Sequence, residues 1–362
     1  MYRPTNLLDR SSQERLGSSA KLMRLDVLLP TLDRAVLLER ALVALLTAPI
    51  PKGLSVFITV INNRCTDRTA DVVGQLMDAY PGRLRMIFER RRGKSRALNS
   101  GLAATDGDLV GMIDDDEVID PEWFRVIYQA FQDQTLDFAG GPYLPDWGAT
   151  PPHWVPTEYL AVLGAADSGT AAIDYSKDFP GILKGGNAVI RRRVLNRVGR
   201  YAEYLGPSGH ARLLSCEDED MYHRLLKHGA RGRYLPSLLI YHHVSVQRLS
   251  PVYYRRWCFW RGVSRGLMDR AHRLPVPYLA GIPRFLHGRA ARGLVRLVAS
   301  RLRREPWEQG FAEELPLWDL AGYAWGRHVY TLARFSPVGS RRKLADPRAP
   351  ADREVDTNIQ TS

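Results

Sequence analysis

From residue 24 onward, short apolar runs alternate with stretches of helical period. Arg24-Leu25-Asp26-Val27-Leu28-Leu29-Pro30 predicts a buried strand ending at a proline. Thr31 to Thr47 then places Val36, Leu37, Ala41 and Leu45 at helical spacing, with Asp33 positioned to cap that helix. Pro49 to Gly53 break it, and Leu54 to Ile61 predicts a second strand, rich in β-branched and aromatic residues. The polar turn Asn62 to Thr69 feeds a helix that runs to about Tyr80. Leu84 to Phe88 predicts a third strand, roughly Ser95 to Ala103 a helix, and Leu109 to Ile113 a fourth strand. This alternation predicts the α/β class, a mostly parallel doubly wound sheet. Such sheets bind ligands beyond the carboxyl ends of their strands.

Past Pro121 the pattern predicts a helix to about Phe131 and a strand near Phe138. A Pro- and Trp-rich loop follows, Gly141 to Pro156, which includes Trp147 and is long for a connector. The segment Phe179 to Arg193 contains Lys184-Gly185-Gly186-Asn187, a turn whose backbone can approach a ligand closely. Ser215 to Leu226 predicts a helix, with Ser215 and Asp218 at capping-box spacing and Gly229 stopping it. Capping accounts for two of the acids Glu217-Asp218-Glu219-Asp220, and does not call for four. Asp220 and Arg224, four apart, are expected to form a local ion pair. Arg233 to Tyr241 predicts a further strand ending in His242-His243. The chain thus divides into a polar lead (1–23), a mixed domain (24–248), a helical extension (249–335) and a polar tail (336–362) expected to be disordered.

Charge adds a feature that hydropathy does not show. The net charge is +12, and Pro251 to Arg304 holds thirteen arginines against one acid, Asp269. That segment carries the whole imbalance; the remainder balances 38 against 38. Between Arg289 and Arg303, arginines 289, 292, 296 and 303 share one helical face, and Leu294, Leu297, Val298 and Leu302 favour another. Such a helix either packs on the domain with a solvated arginine face or lies on an anionic membrane surface. No nucleic-acid-binding module accompanies the arginines, so no nucleic acid is expected. Cys65, Cys216 and Cys258 lie far apart and form no CxxC pair, so neither a disulfide framework nor a cysteine zinc site is supported. No apolar run approaches the ~18–20 residues that span a bilayer, and the first twenty residues contain no apolar h-region. These features predict a cytoplasmic protein, at most peripheral on the inner face of the membrane.

The chemistry centres on Asp114-Asp115-Asp116-Glu117, at the end of the fourth strand. Four carboxylates presented together either hold a cation or suffer repulsion that raises their pKa values. Thr31, Asp33, Asn62, Asn63, Asp67, Asp114 and Asp116 all follow strand ends and are expected to converge on one crevice. Any one of them alone reads equally well as a turn or N-cap residue.

Taken in order, these segments resemble the family 2 glycosyltransferases, nucleotide-sugar enzymes of GT-A fold. Asp26 to Arg34 is similar to the family's V-x-I-P-T-Y-N-R opening, with Asp33 where Asn is usual. Val60 to Thr69 is similar to V-V-D-N-x-S-x-D-x-T, with Asn62 in place of a base-contacting aspartate. Gly93 to Gly101 resembles G-x-x-x-A-x-N-x-G, Asp114-Asp115-Asp116 the D-x-D motif, Glu217 to Leu225 E-D-x-D-L-x-x-R-L, and Pro236 to His242 P-x-A-x-V-x-H. A phosphate loop at Gly93-Lys94-Ser95 is rejected, because Phe88 stands where that motif needs glycine.

The resemblance implies an inverting transfer that depends on Mn²⁺ or Mg²⁺ and uses a nucleotide-diphospho-sugar as donor. It assigns Pro30, Thr31, Asp33, Asn62, Asn63, Asp67, Lys94, Arg96, Asn99, Asp114 and Asp115 to the donor, and Asp116, Asp114 and His242 to the metal. Asp218 is then the catalytic base with Glu217 beside it, and Glu117 shapes the local field. Trp147 and Lys184-Gly185-Gly186-Asn187 mark the acceptor region. A nucleotidyltransferase would carry a Gly-rich basic loop after the first strand, where this chain has Pro30-Thr31-Leu32-Asp33. A non-catalytic membrane scaffold would have no need of intact Asp116 and Asp218.

Overall fold

The computed structural model describes residues 22–209 and 212–330. Most of the expected polar lead and all of the expected disordered tail lie outside them. An eight-stranded sheet forms the centre, in the order β3-β2-β1-β4-β9-β6-β10-β8. Its first half is parallel: β1 (Met23–Thr31) lies between β2 (Leu54–Asn62) and β4 (Leu109–Met112), and β3 (Leu84–Phe88) adds to β2. Leu25, Val27 and Leu29 point to one face of β1 and Leu28 to the other, so the strand is apolar on both sides, as a sheet covered on both faces requires. Helices α1 (Ala35–Thr47), α2 (Thr69–Ala79) and α4 (Trp123–Ala130) cover one face. Helices α3 (Lys94–Ala104), α5 (Arg192–Val198) and α6 (Glu217–Lys227) cover the other.

Three departures from the predicted elements shape the site. First, the chain after Asn187 forms β9 (Ala188–Arg191), which enters the sheet antiparallel to both β4 and β6 (Phe138–Gly140), with Met112 opposite Ala188. The start of β9, and therefore the turn Lys184–Asn187, lies beside the carboxyl end of β4, where the acids are. Second, the single strand expected over Arg233 to Tyr241 is two. β10 (Gly232–Tyr234) stays in the main sheet, where β8 (Ile173–Asp174) flanks it. β11 (Ile240–Val244) joins a small sheet between β5 (Glu117–Ile119) and β7 (Tyr143–Trp147), with His242 opposite Glu117. Pro236, between the two, can donate no ladder hydrogen bond. Third, the Pro- and Trp-rich loop is partly regular, since β7 lies within it.

Helices α7 (Pro251–Ala271), α8 (Arg284–Leu302) and α9 (Trp307–Ala324) form a further layer. Gly262 of α7 meets the Asp319 carbonyl and Gly322 of α9 meets the Phe259 carbonyl, so these helices touch backbone to backbone. The expected inward apolar face of α8 is not what packs: Leu286, Ala290, Gly293 and Ser300 are buried, while Leu294, Val298 and Leu302 are exposed. No helix among the described residues is long and apolar enough to cross a membrane, and all three cysteines are free.

The acids that open α6 divide between two jobs. The predicted capping box is absent: the helix starts at Cys216, held at a left-handed φ of 71°, with no side-chain cap. Asp220 pairs with Arg224 at 2.8 Å and with His272 at 3.2 Å, and Glu219 with Arg265 of α7 at 3.1 Å. Burial pushes the Glu219 carboxyl up, but Arg265 and Arg261 more than offset it and bring it down to about 2. A carboxylate depressed in the folded state stabilises above its unfolded value, and that contribution fades as pH falls through the folded one. Glu219→Gln is therefore expected to cost on the order of 2–3 kcal/mol at pH 7. The difference from wild type should shrink as pH drops from about 4.5 toward 2. Urea unfolding across that range checks it, and a difference that does not change with pH would refute the linkage.

Candidate active site

Beyond the carboxyl ends of β1 and β4 lies a cavity of about 390 Å³. Pro30, Thr31, Asn63, Lys94, Asp114, Asp115, Asp116 and His242 line it, eight of the residues expected to bind the donor or the metal. Arg34, Arg212, Arg248, Tyr253 and Trp257 also line it, and sequence reasoning gave none of these a role. Arg34 closes the opening motif and could have been read from it. Arg248, Tyr253 and Trp257 follow the matched motifs, and only the fold brings α7 over the crevice.

Each acid in the cluster has its own environment. Asp116 is buried; its Oδ2 accepts from Arg34 Nη1 and Arg248 Nη2, both at 2.9 Å, and lies 3.6 Å from His242 Nε2. Burial pushes its carboxyl up, but the groups around it, the Arg34 and Arg248 guanidiniums among them, hold it well below the usual carboxylate range. Asp115 accepts from Thr31 Oγ1 at 2.8 Å and from Arg34 Nη1 at 2.9 Å; burial outweighs the arginine and raises it to about 6. Asp114 receives Lys94 Nζ at 2.7 Å. Glu117 accepts the Asp114 amide at 2.8 Å, and burial together with Asp114 and Asp116 pushes it well above the usual range.

These residues fit a divalent cation. Asp114, Asp116 and Glu117 each offer a carboxylate oxygen, and the three lie within 4.8 Å of one another. An all-oxygen set suits Mg²⁺ or Mn²⁺. The upward shift of Glu117 marks a buried carboxylate lacking an adequate counter-charge, which a cation would supply. His242 has a conflict of its own: Arg248 Nη1 contacts Nε2 at 2.9 Å, and a guanidinium can only donate. The Nε2 lone pair is therefore taken, and the buried Nδ1 has no partner among the described residues. His242 could ligate through Nε2 once Arg248 moves away.

The second acidic group sits across Lys94, which reaches Asp114 at 2.7 Å and Glu217 at 3.5 Å. Burial first, and Asp218 second, raise Glu217 to about 7, Lys94 opposing. Asp218 is raised by burial and by Asp114 against Lys94, and its Oδ1 is buried with no hydrogen-bond partner among the described residues. The glycine turn at the start of β9 makes room for both groups. A Cβ at Gly185 would collide with the Asp218 carboxylate, and one at Gly186 with that of Glu117. Lys184 in the same turn is lowered by burial, against the pull of Asp218.

The remaining expected residues hold the frame. Asp33 Oδ1 accepts the Thr66 amide at 2.6 Å and does not cap α1; Asp67 does, accepting the Ala35 amide at 2.8 Å. Asn62 accepts the Cys65 amide, and Asn99 pairs with both backbone groups of Tyr201. Asn63, although it lines the cavity, accepts the Gly93 amide and donates to the carbonyls of Glu89 and Arg91. Arg96 turns away to Glu203. Asn187 is wholly buried between Trp123 Nε1 and the Leu238 carbonyl, and Trp147 packs in an apolar cluster beside α7.

A doubly wound sheet with an antiparallel strand beside an acidic cluster defines the GT-A class of nucleotide-sugar-dependent folds. The profile described as "Glycosyltransferase like family 2" matches residues 24–257, and the chain belongs to that family. It is 26% identical over 204 residues to the glucosyl-dolichyl phosphate glucuronosyltransferase of Haloferax volcanii, covering 56% of this chain and 63% of that protein. It is 22% identical over 286 residues to the succinoglycan biosynthesis protein ExoM of Rhizobium meliloti, covering 78% and 87%. The chain thus spans less than two thirds of the Haloferax protein. Among solved structures, the fold resembles the mannosyltransferase PcManGT from Pyrobaculum calidifontis in complex with GDP-Man and Mn²⁺. There the TM-score is 0.56 and the identity 17%, over 84% of this chain and 86% of that one.

Proposed function

We propose that the chain is a metal-dependent, inverting glycosyltransferase that moves a hexose from a nucleotide-diphospho-sugar to an acceptor hydroxyl. The observation that carries this reading is the position of Lys94, whose single ammonium group touches an acid of the β4 cluster and an acid of α6. A donor seated over β4 would thereby present its sugar to Asp218. Pro30, Thr31 and Asn63 line the nucleotide end, and Asp114, Asp116 and Glu117, with His242 adjacent, would hold the cation. A cation bound there neutralises charge on the departing diphosphate. Asp218, ionised, takes the proton of the attacking hydroxyl as the bond to the anomeric carbon forms on the face opposite the diphosphate. Glu217 and Lys94 keep the charge around it balanced, and the Lys184–Gly186 turn borders the acceptor side.

The Pyrobaculum mannosyltransferase, solved with GDP-Man and Mn²⁺, supports a nucleotide-sugar donor used together with Mn²⁺. The Haloferax glucuronosyltransferase, which acts on a glucosyl-dolichyl phosphate, supports a saccharide carried on a lipid phosphate as acceptor. The arginine segment supports a place at an anionic membrane surface. Incubation with a panel of nucleotide sugars and Mn²⁺ tests the reading. One donor should raise the melting temperature and release nucleoside diphosphate. A protein that neither binds nor hydrolyses any donor would overturn it.

A further inference from the structure

A helix packed on a domain normally turns its large apolar side chains inward. Helix α8 reverses this. Its inward positions include Ala290, Gly293 and Ser300, and Gly293 lies against the Glu313 carbonyl of α9. Leu286 is buried near its start, but four of its later aliphatic residues face water: Leu294 is 48% exposed, Val295 69%, Val298 48% and Leu302 80%. Val295, Val298 and Leu302 recur at helical spacing and form one ridge. Arginines flank it, Arg284, Arg292, Arg301 and Arg303 among them, and residues 284–304 contain seven arginines and no acid. On the flank nearer the core, Arg289 and Arg296 line a cavity of about 370 Å³ that shares Ala161, Val162 and Trp257 with the donor crevice.

An apolar ridge between rows of arginines is costly in water: Arg296 reaches Glu313 at 3.2 Å and Arg303 lies 3.7 Å from Glu305, but residues 284–304 carry no acid of their own to balance the rest. Nucleic-acid phosphates would satisfy the arginines and leave the ridge bare. A second copy of the chain would cover the ridge while setting seven arginines against seven. We propose that α8 lies in the headgroup layer of an anionic bilayer, its ridge in the acyl boundary and its arginines on lipid phosphates. This deepens the membrane-surface reading above by naming the element that docks, and it does not depend on the sugar-transfer chemistry.

The full chain should co-sediment with vesicles of phosphatidylcholine containing about 30% phosphatidylglycerol, and not with phosphatidylcholine alone. Binding should fall about tenfold or more between roughly 0.1 M and 0.5 M salt. A basic residue near an anionic surface contributes about a fivefold factor, so Arg292→Gln with Arg301→Gln should weaken binding about 25-fold. Val295→Ser with Leu302→Ser should weaken it about tenfold or more even at low salt. All four positions are exposed, so melting temperatures should not change. No binding by the wild-type chain, or equal binding by both double variants, overturns the proposal. So does self-association by light scattering that the ridge variant abolishes without any lipid binding. Donor hydrolysis measured without vesicles should be the same in both variants, which separates a failure of docking from a failure of the catalytic reading.

Discussion

Asp116→Asn is expected to abolish metal-dependent donor binding. Asp116 is held well below the usual carboxylate range, and its Oδ2 is the point on which Arg34 and Arg248 converge. An amide there removes the charge a divalent cation needs while keeping the shape of the side chain. Titration of donor by calorimetry, with Mn²⁺ and then with chelator, should show the wild-type signal dropping to the chelated level in the variant. The substitution also leaves two guanidiniums facing a neutral group, so a loss of a few kcal/mol in metal-free stability is expected. A circular dichroism melt under chelation separates that loss from the loss of metal. Undiminished Mn²⁺-dependent binding with full turnover would refute the role.

Asp218→Asn should do the opposite, leaving donor affinity nearly intact and lowering turnover by roughly 10²–10⁴-fold, the range of a lost general base. Burial raises the Asp218 carboxyl, which makes the ionised form a better proton acceptor. Only the ionised form acts, so wild-type kcat/KM should fall as pH drops through that raised value, and the variant's residual activity should lack this limb. Normal turnover in the variant removes Asp218 from the mechanism.

The parallel half of the sheet was legible because β1, β2 and β4 are apolar on both faces and end in polar turns, a pattern local to each strand. The acids after β4 were legible for the same reason. β9 was not: Ala188–Arg191 is four residues long, and its direction is set by partners in β4 and β6 rather than by its own composition. Asp33, Asn62, Asp67 and Asn99 stand at motif positions, yet their side chains are spent on backbone groups of neighbouring turns, and one sequence cannot distinguish a residue that holds a loop from one that holds a ligand. Arg248 escaped notice because its partner Asp116 is 132 positions away. The outward ridge of α8 was left undecided because amphipathic spacing tells which residues share a face, not which way that face points.

The reversal of β9 also bears on when the crevice can come into being. Thr31 must find Asp115 across 84 positions and Arg248 must find Asp116 across 132, while the glycine turn reaches Glu117 and Asp218 only after β9 has inserted between β4 and β6. Closing loops of that length is slow, and contacts of high sequence separation form late. The cation site is therefore among the last parts of the molecule to assemble during folding. Mn²⁺ binding by a refolding chain should lag behind recovery of helical signal, which makes metal capture a gauge of native topology rather than of secondary structure alone.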